Sequence, residues 1–462
     1  MQYGIVKEGC DGVSKESITT KQAMGDILHL FGPCLLELFL TQLVSMVDMA
    51  MVGGLGTRAI NAVGINSQPL LLMNMVFAAL NVGTTALISR AKGEEDKTKI
   101  NRTLGTAVLL STILGLFISV IGVVFADAII GMMGPTSSEL ADMGVQYLRY
   151  RMIGMLPMAL TSVATAALRG VGNSRTAMLY NLAANVVNVL FNWLLIHGIA
   201  FFPTMGVNGA ALATSISQAV GMLIAFGVLF RGHSGLKLGE YNGIDGTVTA
   251  NILRIGLPSA GAQVVVRIGL ILFTRMTVSL GEVGYAAYQL SGNIVSLFTC
   301  IGTAAQMVTA PLTGQCIGRR DTARAERYNA LSCLMTVGLM LVCSAVCLLW
   351  GAPLMQHLYS AEPAVIEAAW PALNLLAISQ IFFAFYYVYS GALQGAGDTS
   401  LSAVIFIITI LCVRVPLAYL FKEVAGWGVF GVNLATAIDQ TLCSILFYIR
   451  YKSGRWKRIK LK

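Results

Sequence analysis

LRGVGN (168–173) and LQGAGD (393–398) are two copies of one hexamer, and the offset of 225 between them decides the fold. The same offset pairs Pro33 with Pro258, Gly56 (closing GGLG) with Gly281 (closing VSLG), and Gly93-Glu94-Glu95-Asp96 with Gly318-Arg319-Arg320-Asp321. It also pairs Gly206-Val207-Asn208 with Gly431-Val432-Asn433. One spacing holds across the whole chain, in helical hydrophobic sequence, so the chain reads as a duplication. A duplicated membrane bundle has two lobes with a cleft between them, the usual build of an alternating-access carrier.

Composition places the repeats in a membrane. Hydrophobic residues make up 56% of the 462 and charged residues 11%, against roughly 25% charged in soluble domains. Mean hydropathy is +0.73. Apolar stretches long enough to cross a hydrocarbon core of about 30 Å recur along the chain. Helices satisfy their own backbone there, and the alternating segments of a β-barrel are absent. Twelve spans are expected, near 27–52, 62–90, 104–131, 144–168, 176–200, 206–231, 250–280, 285–315, 329–356, 366–394, 400–421 and 427–450.

The expected fold is therefore an all-α membrane protein of twelve transmembrane helices in two pseudo-symmetric six-helix lobes. An N-terminal segment (1–24) precedes an N-lobe (25–231). A polar linker (232–249) leads to a C-lobe (250–450) and a basic tail (451–462). Six spans per lobe bring both repeats in from the same side, so the repeats are parallel.

Of the 31 Lys and Arg, 24 fall on one side if both termini are cytoplasmic, including Arg90, Lys92, Arg169, Arg319, Arg320 and the tail RYKSGRWKRIKLK. The opposite side holds Arg58 and Lys422, with Arg149 and Arg151 at a span edge. This asymmetry predicts both termini in the cytoplasm. The net charge of +9 then reports orientation and contact with anionic lipid, not nucleic acid, and Trp456 is expected as an interfacial anchor. The N-terminal segment carries Glu8, Asp11 and Glu16 and does not read as a cleavable signal. The nine cysteines form no Cys-x-x-Cys pair and the four histidines are scattered, so neither a metal site nor a disulfide is expected. The glycine clusters have no strand before them and no lysine in phosphate-loop spacing, and they read as turns and hinges. No nucleophile–base or zinc arrangement appears, so the chain is not expected to be an enzyme.

Charges inside spans are costly and point to partners or function. In span one Glu37, Thr41, Ser45 and Asp48 share one helical face, which predicts a stripe lining an aqueous cavity. A carboxylate at position 48 could load a proton from one side and release it on a conformational change. The alternative is a structural carboxylate bonded to a neighbouring helix. Span five carries Asn181, Asn185, Asn188 and Asn192 along one face, either as interhelical glue or as part of a binding site. Span seven carries Gln263, Arg267, Thr274 and Arg275. Thr41, Ser45, Asn185, Gln263 and Arg267 are the candidates for a substrate cavity. Arg267, Arg414 and Asp439 are candidates for structural or gating ion pairs, with either arginine as the partner of Asp439. The run Phe382-Phe383…Phe385-Tyr386-Tyr387 could stack on a cationic cargo or pack within the helices.

The chain resembles the multidrug and toxic compound extrusion (MATE) transporters over nearly its full length. The resemblance rests on Pro33…Glu37…Val47-Asp48…Gly53-Gly54-Leu55-Gly56, Ser89-Arg90-Ala91-Lys92-Gly93, LRGVGNSRTA (168–177), Asn188, GVNGAALAT (206–214), GLP (256–258) and GALQGAGDT (391–399). The ending IDQ…YIRYKSGRWK (438–457) resembles the bacterial DinF-like branch. The resemblance implies export of amphipathic, cationic organic compounds against a proton or sodium gradient by a monomer in the bacterial inner membrane. No cofactor beyond the ion gradient and no nucleic-acid partner is implied; membrane lipid surrounds the protein. Asp48 matches the family's span-one acid and Asn188 an asparagine near it. Asn192 stands where many members have aspartate. Val266 and Arg267 lie where another branch has a span-seven glutamate, and span ten (IFFAFYYVYSG) has no acid. The coupling set implied is Asp48, Asn188, Asn192, Thr214 and Glu37, with a proton as the coupling ion and sodium at Asp48 as the alternative. A flippase for a lipid-linked saccharide is the rival reading, and it would favour extra spans and a basic cavity. A major-facilitator carrier is disfavoured, because the loop RAKGEEDKTKINR lacks that class's motif.

Overall fold

The computed structural model describes residues 19–199, 202–232, 235–241, 243–359 and 362–459, and the side chains of Arg275 and 357–359 stand outside that description. The acids Glu8, Asp11 and Glu16 of the N-terminal segment, Cys10, His233 and the end of the basic tail also lie outside it. Among the described residues all regular structure is helical.

Helix α1 (Thr20–Gly53) starts on a reciprocal cap in which the Thr19 hydroxyl accepts from the Gln22 backbone and the Gln22 side chain from that of Thr19. The N-terminal repeat continues through α2 (Thr57–Gly93), α3 (Lys97–Val124), α4 (Ala126–Met132), α5 (Ser138–Ile153), α6 (Met155–Gly170), α7 (Ser174–His197) and α8 (Val207–Phe230). The second repeat holds α9 (Gly246–Val278), α10 (Gly281–Gly318), α11 (Thr322–Tyr359), α12 (Pro363–Ala396), α13 (Ser400–Phe406), α14 (Val415–Tyr419) and α15 (Gly428–Lys452). Eleven helical stretches are long and apolar enough to span a membrane, and α5 with α6, bent by 45° at Gly154, supplies the twelfth. The expected eleventh span is one stretch from Ser400 to Val424 in which π-helical turns (Ile407–Arg414 and Leu420–Val424) flank α14. Side chains such as Leu116, Phe117, Val120 and Val124 of α3 and Leu341, Val342 and Leu349 of α11 are exposed, an apolar outer wall suited to lipid.

The repeat visible in sequence is also a structural one. The turns after α2 and α10 place Glu95 at φ 59° and its repeat mate Arg320 at φ 58°. The two repeats meet where those helices end. A Cβ on Gly318 would lie 2.9 Å from the Gly93 Cα and would run into the Arg90 carbonyl. One on Gly93 would collide with the Gln315 backbone, and one on Gly314 with the Ser89 side chain. Gly93 and Gly318, and likewise Ser89 and Gly314, are repeat mates, so the crossing lies on the pseudo-twofold axis. Gln315 Nε2 adds a hydrogen bond to the Gly170 carbonyl at 3.0 Å. Further along, Gly83 packs on Ile252 of α9, where a Cβ would sit 2.6 Å from its carbonyl oxygen, and Gly256 packs on Ala79. These inter-lobe contacts all belong to the end of the bundle that carries Arg90 and Arg319. That basic end is sealed.

The tail closes over the same end. Trp456 is 1% exposed, stacks on Tyr451 with ring centroids 5.2 Å apart, and donates Nε1–H to the Tyr451 carbonyl at 2.9 Å. It is a core residue and not the interfacial anchor expected from the basic sequence around it. Lys457 pairs with Glu326 of α11 at 2.5 Å, and Arg90 of α2 donates to the Ile459 carbonyl at 3.1 Å. The tail thus ties both repeats together. Truncating a fully buried aromatic costs about 3–5 kcal/mol. Trp456→Ala should accordingly lower the unfolding midpoint by several degrees in detergent, whereas Trp456→Phe should lose less; equal midpoints for Trp456→Ala and wild type would remove the tail from the core.

The linker is fastened to the first repeat rather than hanging free. The Lys237 backbone N–H donates to Asn101 Oδ1 at 3.0 Å, Asn101 Nδ2 donates to Glu240, and Arg102 lies 5.7 Å above the Tyr241 ring. Asp245 caps α9 by accepting from the Thr247 and Val248 backbone at 2.7 and 3.1 Å, and it pairs with Arg102. The Val248 N–H, then the Thr247 N–H and the Arg102 guanidinium, hold its carboxyl below the usual carboxylate range against the opposing effect of burial. A depressed folded-state value makes the cap's contribution complete above the unfolded-chain value of about 3.9 and lost as pH falls through the lower folded one. Asp245→Ala should destabilise by about 1 kcal/mol at pH 7, and the difference from wild type should shrink below pH 4 in thermal melts; a pH-independent difference would exclude the charged cap.

Candidate functional site: a carboxylate–amide ladder beside a cavity closed at one end

Helices α1 and α7 run side by side, and their polar faces meet at a constant sequence separation of 144. Asn181 Nδ2 donates to Glu37 Oε1 at 2.8 Å, Asn185 Nδ2 to Thr41 Oγ1 at 3.3 Å, and Asn192 Nδ2 to Asp48 Oδ1 at 2.6 Å. Both stripes are legible as periodic polar faces. Their pairing follows because parallel helices with matched polar periods satisfy their amides and carboxylates against each other.

Asp48 is half-buried and belongs to none of the ion pairs among the described residues. Asn188 completes its surroundings. With the amide nitrogen turned toward Asp48 it lies 3.0 Å from both carboxylate oxygens, while its oxygen accepts from Thr214 Oγ1 at 3.3 Å. In the opposite sense the nitrogen donates to Thr214 at 3.3 Å, and the amide oxygen faces Asp48. A carboxylate can only accept and selects the first arrangement; a protonated acid can donate and suits the second. In the second arrangement the Thr214 hydroxyl donates to the Ala210 carbonyl at 2.9 Å, a bond it must give up to donate to Asn188. Asp48 is thus connected through Asn188 and Thr214 to the backbone of α8.

Glu37 is engaged differently. Arg169 NH2 donates to Glu37 Oε1 at 2.7 Å, with both side chains largely buried. The family resemblance groups Glu37 with the coupling residues, and the sequence names no partner for it, because Arg169 sits in LRGVGN, which reads as a turn. Glu37 is one half of an ion pair that joins α1 to α6.

That pair lines a cavity of about 610 Å³ between the repeats, on the inner side of the sealed basic end. Thr41 and Gln263, two of the candidates for a substrate cavity, also line it. Ser45, Asn185 and Arg267, the other cavity candidates, do not line it: Ser45 is exposed further along α1, Asn185 is spent on Thr41, and Arg267 lies beyond the cavity on α9. Residues missed in sequence include Gln218, Gln306 and Gln394. Gln394 stands in LQGAGD at the repeat position of Arg169, which is the one signal that could have found it.

In the second repeat, Arg414 lies 3.9 Å from Asp439 and 4.3 Å above the Phe273 ring. Arg267 makes no ion pair among the described residues, and its Nε is buried without a partner; of the two arginines offered to Asp439, the adjacent helical stretch supplies the one that meets it. At the repeat spacing Asp48 corresponds to Phe273, Asn188 to Val413, Asn192 to Leu417 and Thr214 to Asp439. The second repeat has therefore replaced the unpaired carboxylate and its amides with an aromatic ring, aliphatic side chains and an internally neutralised pair. Most of the aromatic run of α12 packs inside its own lobe, where Phe383 stacks on Tyr386 at 4.6 Å and Tyr386 meets Phe406 and Phe447, whereas Phe382 is exposed. None of its members lines the cavity, in line with the alternative of packing within the helices.

Two repeats of long apolar helices that close together at one end, around a largely apolar cavity with scattered polar groups, have the build of a membrane transporter. The MatE family model matches residues 33–194 and 258–420, once per repeat, and the chain belongs to that family. It is 25% identical over 99% of its length to a probable multidrug resistance protein NorM of Thermotoga maritima, 97% of which is covered. It is 24% identical to an FAD transporter of Shewanella oneidensis, across 91% of this chain and 93% of that one. Among solved structures, an outward-facing multidrug resistance MATE transporter superposes with a TM-score of 0.87 at 24% identity, over 96% of this chain and all of the other. A MOP-superfamily transporter from Pyrococcus furiosus, described as having a binding pocket of reverse polarity, gives 0.86 at 24% identity over the same shares.

Proposed function

We propose that the chain is a proton-coupled antiporter that exports organic compounds across a bacterial inner membrane, with its basic end and both termini in the cytoplasm. The observation that carries this is Asp48: a half-buried carboxylate within a span that makes no ion pair among the described residues and is met by the amides of Asn188 and Asn192. In this reading the present state faces outward, since the basic end is sealed. Asp48 takes a proton from outside, Asn188 turns over, and Thr214 returns its hydroxyl to Ala210. The rearranged lobe releases cargo, the repeats rock, and the proton leaves to the cytoplasm. Coupling arises because the two protonation states hold cargo with different affinity.

A proton is favoured over sodium because the Asn192 amide hydrogen-bonds Asp48 Oδ1 at 2.6 Å and so satisfies the carboxylate without a metal ion. The DinF-like ending of the chain agrees with that choice. A lipid-linked saccharide carrying phosphates would need unpaired cationic groups in the cavity, and Arg169 is neutralised by Glu37. The cationic cargo implied by the family resemblance finds no unpaired carboxylate there either, among the described residues. A pH jump and a sodium jump imposed separately on vesicles holding cargo test the ion: movement under the pH jump alone is expected, and movement under sodium alone would reject the proton.

A further inference from the structure

Two side chains of opposite charge, Glu37 and Arg169, are the only charged ones on the cavity wall among the described residues, and each cancels the other at 2.7 Å. No aromatic side chain among the described residues lines the cavity. A cationic cargo would need a free carboxylate or an aromatic face to replace its hydration, and an anionic one a free guanidinium or ammonium. The wall supplies neither. The wall is mainly apolar, and its uncharged hydrogen-bonding groups include the amides of Asn81, Asn181, Gln218, Gln263, Gln306 and Gln394.

Part of this set is already committed. Asn181 is bound to Glu37, and Gln306 donates to Ser390 at 3.1 Å. The side-chain amides of Gln218, Gln263 and Gln394 make no hydrogen bond within the protein among the described residues, and Asn81 Oδ1 is buried without a partner. These groups come from four helices, α2, α8, α9 and α12, and from both repeats. Unspent amides on four sides of one cavity amount to donors and acceptors without net charge. They match a ligand that carries hydroxyl and amide groups of its own.

We infer that this transporter carries uncharged, hydrogen-bonding organic molecules bearing hydroxyl and amide groups, small enough for a cavity of about 610 Å³, and not lipophilic cations. The inference rests on the antiport reading above and adds a consequence to it. One proton entering for one neutral molecule leaving moves one net charge, whereas one proton exchanged for one monovalent cation moves none. A membrane potential without a pH gradient therefore drives the uncharged cargo.

Chloramphenicol, which is neutral with two hydroxyls and an amide, and tetraphenylphosphonium, a lipophilic cation, serve as probes on the purified full chain. Binding is read from thermal-melt titrations and transport from vesicles. Chloramphenicol should bind at least tenfold more tightly than tetraphenylphosphonium, and a potassium diffusion potential at equal pH should move only chloramphenicol. Gln263→Leu combined with Gln394→Leu should weaken chloramphenicol at least tenfold. Arg169→Gln, which frees Glu37, should gain tetraphenylphosphonium binding, while the neutral pair Glu37→Gln/Arg169→Gln should not; this second variant separates charge from loss of fold. Wild-type tetraphenylphosphonium binding equal to or tighter than that of chloramphenicol overturns the inference, as does binding of neither probe. Tetraphenylphosphonium export that follows a pH jump and is lost in Asp48→Asn would overturn the cargo class and leave the antiport reading standing.

Discussion

Asp48→Asn should bring pH-driven cargo movement in vesicles down to that of protein-free vesicles while leaving fold and cargo binding in place. The substitution preserves shape and removes only the titration. Asn at position 48 can still accept from Asn192 through its oxygen, as Asp48 Oδ1 does at 2.6 Å, so no cavity or unpaired charge is created. What disappears is the ability of the residue to gain and lose a proton beside Asn188 and Asn192. A coupling of about 1–3 kcal/mol corresponds to roughly 5–150-fold in affinity between two states, and all of it is lost when the states become one. Downhill exchange of labelled for unlabelled cargo needs no proton and should survive. The second repeat offers no substitute, because Arg414 already neutralises Asp439. Drug-sensitive cells lacking their own pumps provide an independent readout, and full protection by the Asp48→Asn chain would end the role assigned to this carboxylate.

Gly318→Leu should deplete the outward-facing state. The Gly93–Gly318 crossing exists only when the basic ends of α2 and α10 are together, and there a side chain at 318 has nowhere to go except into backbone. Overpacking of a rigid contact costs about 1–3 kcal/mol or more, and the cost falls on the sealed state alone, since separated repeats leave the position free. That shifts the ratio of states by roughly 5–150-fold. Spin labels at Leu55→Cys and Glu282→Cys, on the outer ends of the two repeats, with the exposed Cys412 replaced, should report a shorter distance in Gly318→Leu than in the parent. Cargo export should fall at least tenfold. An unchanged distance distribution together with full export would show that the crossing is not the inner gate. Gly93→Leu, its repeat mate, should behave alike, because the Gln315 backbone occupies the space its Cβ needs.

Much of the architecture is legible in the sequence because both determinants are local or periodic. Apolar runs give the spans, and a single offset of 225 gives the duplication. The ladder from α1 to α7 is half legible for the same reason. Each stripe is a periodic face of one helix, whereas the pairing of Glu37 with Asn181, Thr41 with Asn185 and Asp48 with Asn192 is set by helix packing. What escaped is tertiary. The partner of Glu37 lies far along the chain, at the end of α6, in a glycine-rich hexamer whose backbone signal hides its arginine. Trp456 sits in a tail so basic that an interfacial position is the natural expectation, and only the folding of the tail back onto Tyr451 buries it. The unspent amides of the cavity stand singly on four helices, and of these Gln263 alone belongs to a polar stripe legible in the sequence. Arg267 shows the converse limit. A charge in a span demands an explanation, but the demand does not name the partner, and here the partner of Asp439 is Arg414.

The role of Asp48 in moving protons against cargo is tested most directly by running the exchange backwards. Sodium-free vesicles holding a pH-sensitive dye receive an imposed cargo gradient and no initial pH difference. Cargo flow through the wild-type chain should drive protons the opposite way, giving a pH change that Asp48→Asn does not produce and that added sodium does not alter. Cargo flow with no pH change, or a response that appears only when sodium is added, would contradict the account.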